Sequence, residues 1–144
     1  MIFLFDANVP KRVQTSVNKI FTKHKFFATW DPPFNPSMDD LSLFHTAHET
    51  GIEALITLDT VQMTGADRQH ERRACRDARL HWLGIAQPFR ARGALARQAA
   101  TAGQLITNLP YALDVFDKAT QPTAILLRPA PLRLHSEKGF PQAI

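Results

Sequence analysis

Two short apolar runs that each end in an aspartate constrain this chain more than any other feature. Ile2-Phe3-Leu4-Phe5 is followed at once by Asp6, and Ala54-Leu55-Ile56-Thr57-Leu58 by Asp59. A run that is continuously apolar, rather than alternating, suits a strand buried on both faces. In open parallel sheets, ligands bind outside the carboxyl ends of the strands. Two acids delivered there would meet in one crevice. Crowded carboxylates repel each other unless a cation or a shared proton relieves them. A hard divalent metal, which prefers oxygen ligands, is the simplest relief.

The remaining elements follow from spacing and punctuation. Pro10 suits a first helical turn, and Val13, Val17, Ile20 and Phe21 recur at helical spacing, which predicts a helix to about residue 23. Residues 26–30 read as a strand, and the prolines at 32, 33 and 36 exclude regular structure after it. Ser37, Asp39 or Asp40 caps a helix that Gly51 ends. Residues 54–58 form the third strand, 67–78 an exposed Arg-rich helix, and 80–85 a fourth strand. Residues 94–108 read as one helix, 110–118 as another, and 123–127 as a last strand. Alternating strands and helices predict an α/β three-layer sandwich with a central, mainly parallel sheet. A chain of 144 residues fits one domain. Its last 15 or so residues, with Pro129 and Pro131, read as an irregular tail.

Charge separates the two halves. Eight arginines fall between Arg68 and Arg97, against only Glu71 and Asp77, while the first 60 residues carry most of the acids. A basic flank beside an acidic site suits a polyanion, because the arginines hold phosphates and a metal neutralises the reacting one. Arg72, Arg73 and Arg76 are the proposed contacts, with Arg12 on the first turn of the first helix. All of them could equally be solvated solubility residues. No apolar run approaches the roughly 20 residues that span a bilayer. Asp6 interrupts the first run and no basic segment precedes it, so no signal peptide is expected. The single cysteine, Cys75, fits a reducing cytoplasm. Neighbouring arginines could lower its pKa, but no partner motif accompanies it.

Three points line up along the chain: Asp6-x-Asn8-x-Pro10-x-Arg12, then Asp40-Leu41-Ser42-Leu43-Phe44-His45-Thr46-Ala47 with Gly51 four residues on, then Thr57-x-Asp59. This order resembles the PIN-like nucleases, and within them small bacterial toxin-type PIN-like proteins. The resemblance covers about residues 1–62. It implies a parallel sheet with acids at its carboxyl edge, and metal-dependent hydrolysis of RNA phosphodiesters. Asp6, Asp40 and Asp59 would then be the catalytic acids and the ligands of Mg²⁺ or Mn²⁺. Asn8 and Thr57 would orient them. RNA would be the substrate, a cognate antitoxin the partner protein, and a homodimer is left open. One position departs from the pattern. Relatives often carry a further aspartate two residues after Asp59, where this chain has Val61; Asp67 could replace it if residues 60–66 fold back.

Each residue also has a plainer reading. Asp6 could be a turn residue, Asn8 a helix cap, Asp39 and Asp40 both caps that favour the positive helix end, and Thr57 an ordinary strand residue. His45 and His48 are spaced as a metal pair, with no third ligand evident. Trp82 and Phe89, interleaved with arginines, could stack bases or simply fill a core. Two other functions stay open. One is a binding module that holds RNA or protein on a weakened metal site. The other is a phosphatase, against which stands the lack of a D-x-D-x-T/V motif after the first strand.

Overall fold

Apolar runs too short for helices become the sheet. A computed structural model of the chain describes residues 1–87 and 93–128. It contains β1 (Ile2–Phe5), α1 (Lys11–Ile20), β2 (Lys25–Ala28), α2 (Asp40–Glu49), β3 (Ala54–Thr57), α3 (Val61–Thr64), α4 (Gln69–Asp77), β4 (His81–Ile85), α5 (Ala94–Lys118) and β5 (Ala124–Leu127). The five strands form one sheet in the order β2-β1-β3-β4-β5, and every pairing is parallel. The predicted tail, together with Phe89, Arg90 and Arg92, lies outside the described residues.

Both faces of the sheet are covered, which is why its strands read as continuous apolar runs. On one face, Phe3, Phe5, Ala54, Ile56, Leu83 and Ile85 pack beneath Val13 and Val17 of α1 and Leu105, Leu109, Ala112 and Phe116 of α5. On the other, Leu4, Leu55 and Trp82 pack beneath Leu43, Phe44 and Ala47 of α2 and Cys75 of α4. Each fully buried Leu, Ile or Phe contributes about 1.5–3 kcal/mol. Gly84 has a specific reason to be glycine: a Cβ there would fall 2.0 Å from the Trp82 ring. The indole therefore lies over the glycine two residues along its own strand.

Three local expectations change. The predicted helices 94–108 and 110–118 are one helix, α5, running through Pro110. A mid-helix proline removes a hydrogen bond and costs about 3 kcal/mol. Here Leu105, Leu109, Ala112 and Phe116 form one buried stripe across it, while Pro110 itself faces outward. Burial of that stripe outweighs the break. The helix expected to be exposed, α4, is amphipathic and buries Glu71 and Cys75. Finally, α3 forms a single turn in a segment with no predicted element.

The strand order reverses between β1 and β3. The chain runs from β1 to β2 on one side, then returns over α2 to place β3 on the other. The connections diverge there, at the kind of switch point where open parallel sheets bind ligands beyond the carboxyl ends of the strands. Asp6 and Asp59 follow those two strands.

Candidate active site

The parallel ladder carries Asp6 one step beyond β1, where its backbone N–H donates to the Ile56 carbonyl at 3.0 Å. Its carboxylate then gathers neutral donors. Ala7 N–H reaches Oδ1 at 2.6 Å, while Asn8 Nδ2 and the Thr57 hydroxyl both reach Oδ2 at 2.6 Å. Asn8 is a bridge rather than the helix cap it could have been. Its Nδ2 also lies 3.0 Å from Thr57 Oγ1, and its Oδ1 accepts from Leu58 N–H at 2.8 Å. Thr57 is fully buried, and its hydroxyl accepts the Asp59 N–H at 3.0 Å. Hydrogen bonds to an ionised carboxylate are among the strong ones. They join the ends of β1 and β3 into a closed network.

Asp59 is otherwise engaged. Its Oδ1 accepts from Val61 N–H at 2.9 Å and opens the turn into α3. Val61, where the PIN-like pattern would have an acid, is exposed at the first position of α3. Asp67, the proposed substitute, is also exposed, at the mouth of an open groove of about 720 Å³ between α2 and α4.

Asp39 and Asp40 divide the two roles weighed for them. Asp39 caps α2, accepting from Ser42 N–H at 3.0 Å and Ser42 Oγ at 2.7 Å. The Ser42 hydrogen bonds hold its carboxyl below the usual range. Asp40 turns inward and is half-buried. Burial raises its pKa first, and repulsion from Glu71 and Asp6 adds to this; a hydrogen bond from Gln62 opposes the rise, whereas one shared with Glu71 promotes it. Gln62 is itself buried and fixed, because its Oε1 accepts from Trp82 Nε1 at 3.2 Å.

Glu71, which belongs to none of the motifs, is 3% exposed. The Arg68 guanidinium pairs with its Oε1, and His70 Nε2 stands 3.6 Å from the same atom. Its Oε2 is buried with no hydrogen-bond donor. Yet Asp40 comes close enough to this side chain for the two charges to repel. The two facts agree once protons are counted. Two ionised carboxylates offer each other no donor, and Asp40 supplies one only while it keeps its proton. A sequence signal for Glu71 did exist: it lies on one helical stripe with Cys75 and Ala78, both buried. A charge on an apolar stripe is the informative kind of exception.

The basic flank is less uniform than its sequence. Arg72 Nη1 donates to the Gly65 carbonyl at 2.6 Å and so holds the α3–α4 turn. Arg76 lies 3.4 Å from Asp77. Arg73 is exposed and lines the open groove with Leu41, Gln69 and His70. Arg12 is exposed on α1. Cys75 is no activated thiol: burial pushes its pKa up to about 12. His45 pairs with Glu49 at 3.3 Å and His48 Nδ1 lies 3.0 Å from the Ala78 carbonyl, so the two do not act as a metal pair. Trp82 is a core residue, buried to 1% exposure, not a stacking platform.

Among the described residues, no three His, Cys, Asp or Glu side chains are arranged to hold an ion. Asp6, Asp40 and Asp59 are not gathered as a trio: Asp59 accepts from Val61 N–H in the turn before α3, and Asp6 is satisfied by neutral donors. The chemistry of the donors nevertheless fits a hard cation. All are oxygens, two face each other, and one is buried without a partner. Mg²⁺ commonly keeps several waters and needs only one or two carboxylates from the protein. No helix among the described residues is long and apolar enough to cross a membrane. No family model, no curated protein and no solved structure matches the chain.

Proposed function

We propose that the chain is a Mg²⁺- or Mn²⁺-dependent endoribonuclease of the PIN-like type. The observation that carries this reading is the meeting of Asp40 with other acids beside the carboxyl ends of β1 and β3. Asp40 would hold the ion with Asp6 beside it, and Asp59 would reach it through water. A bound divalent ion would supply charge to polarise a scissile phosphate and would lower the pKa of a bound water. The chain's own contribution is orientation. Thr57 and Asn8 fix Asp6, and Gln62, anchored by Trp82, favours the charged form of Asp40. Arg73 and Arg12 are exposed cations suited to the phosphates of a single strand. The role as toxin of a toxin–antitoxin pair comes from the resemblance, and a cytoplasmic location from the single cysteine. For a protein partner, Tyr111 and Val115 offer exposed apolar surface one turn apart on α5.

A second reading has its own observation. Asp6 is fully satisfied inside the protein, and position 61 is an exposed valine. Both weaken a metal site and favour a module that binds RNA or protein without cutting. The two readings separate in a cleavage assay on several single-stranded RNAs with Mn²⁺, controlled with EDTA. Metal-dependent cleavage is expected. Binding without cleavage across substrates and metals would replace the nuclease with the binding module.

A further inference from the structure

Buried carboxylates without partners are rare because an ionised group loses its hydration and regains nothing. Glu71 is half of such a case. Arg68 compensates Oε1, while Oε2 is buried and empty-handed. Asp40 lies close enough to the same side chain for the two charges to repel. Two acids that approach each other from different helices, α2 and α4, need something positive between them. Arg68 is committed to the far oxygen and Gln62 is a neutral amide.

We infer that Glu71 and Asp40 are the two protein carboxylates of a hard divalent-cation site, and that Glu71 supplies from α4 the acid that Val61 does not. This deepens the proposed function and rests on its reading of the crevice as metal-binding. The supports on either side are built alike. Arg68 grips one oxygen of Glu71 and leaves the other free, and Gln62, held by Trp82, stands near enough to Asp40 to favour its charged form. Such outer partners orient ligands and tune affinity. Two carboxylates with waters and a substrate phosphate are enough for Mg²⁺. Asp67 stays outside on the exposed start of the α4 segment.

The test is Mn²⁺ binding by the full chain, read by electron paramagnetic resonance of free Mn²⁺ and by the melting temperature with and without the ion. Wild type should bind one Mn²⁺ and melt higher with it. Glu71→Gln should weaken binding by at least about tenfold and abolish the stabilisation, with folding checked by circular dichroism. Asp67→Asn should bind as wild type does. Should Glu71→Gln fail to fold, substoichiometric Mn²⁺ on wild type decides the matter, by broadening the amide signals of residues 40, 62 and 71 first. Broadening centred elsewhere, wild-type affinity in folded Glu71→Gln, or no Mn²⁺ binding by wild type each overturns the inference. The two proposals fail separately. RNA cleavage with undiminished Mn²⁺ binding in Glu71→Gln keeps the nuclease and removes Glu71. Mn²⁺ binding that needs Glu71, without cleavage of any RNA, keeps the site and removes the nuclease.

Discussion

Two groups of acids lie at the same edge of the sheet and solve the burial of charge in opposite ways. At the ends of β1 and β3, Asp6 is surrounded by an amide, a hydroxyl and a backbone N–H, all neutral donors within 2.6 Å. Between α2 and α4, Asp40 faces Glu71, so charge meets charge and one oxygen has no donor. The first arrangement is closed and holds two strands together. The second is open and calls for a proton or a cation. Position at a strand end therefore marks the crevice, and only the partners of each acid say which carboxylates have work left to do.

The largest expected effect tests that division on activity. Asp40→Asn should lower Mn²⁺-dependent RNA cleavage by more than about 100-fold, beyond what loss of a merely orienting partner costs. RNA affinity should change little, because phosphate contacts from arginines remain. Single-turnover cleavage together with a binding titration measures both. If Asp40→Asn cleaves normally while Asp6→Asn does not, the active acids are on the strand edge and the comparison is reversed.

Thr57→Val sharpens it from the other side. The change keeps the shape but removes one donor to Asp6 and the acceptor for Asp59 N–H, both in a fully buried setting. Leaving such groups unsatisfied costs about 1–3 kcal/mol, or a few degrees of melting temperature for each kcal/mol in a chain this size. Cleavage should fall by no more than about 10–100-fold. A variant that melts like wild type but cuts nothing would make the closed network part of the chemistry.

How far the sequence led differs between the same two regions. Asp6, Asn8, Thr57 and Asp59 were legible because each is fixed within a few residues of a strand end, and strands announced themselves as apolar runs. The side chains of Asn8 and Thr57 both hydrogen-bond Asp6. The sheet, its parallel pairing and the two helical layers were legible for the same reason. Glu71 was legible only as a charge on an apolar stripe; its meaning depends on α4 lying against α2, a contact between segments 30 residues apart that local pattern does not encode. Gln62 was hidden likewise, since α3 is a single turn with no period of its own. Pro110 misled in the opposite direction: a strong local breaker was overruled by a buried stripe that only packing against α1 and the sheet makes decisive.

The arginines carry the comparison outward from the acids. Arg72 is bonded to a carbonyl of the turn before α4, whereas Arg73 lines the open groove. Arg72→Ala should cost roughly 1.5–3 kcal/mol of stability, the range for hydrogen bonds to a charged group. Arg73→Ala should leave melting unchanged and reduce the slope of log affinity against log salt for RNA by about 1. Chemical denaturation and salt-dependent binding read the two. Equal losses of RNA affinity with equal stability would restore a uniform basic flank and remove the structural role of Arg72.

The smallest effect is the most direct reading of charge facing charge. Burial and the repulsion of Glu71 and Asp6 raise the Asp40 pKa above its ordinary 3.8. The folded protein therefore holds a proton that the unfolded chain has already lost at the same pH. Where the native state binds more protons, stability falls as pH rises. The loss should begin near the ordinary carboxylate value and finish once pH has passed the raised one, after which it is constant. Asp40→Asn has no such proton, so in EDTA its stability should not show this decline, and above the window it should be the more stable protein. Asp39 has its pKa moved the other way and contributes equally to both proteins, so the difference between them isolates Asp40. Added Mn²⁺ should return to wild type the stability that deprotonation removed, because the cation takes over from the proton between the two acids. The same ion should do nothing for Asp40→Asn. Urea midpoints for both proteins across the acid range, with and without Mn²⁺, give all four curves. Parallel curves in EDTA would mean that Asp40 and Glu71 are as well satisfied as Asp6, and the open region would be as closed as the other.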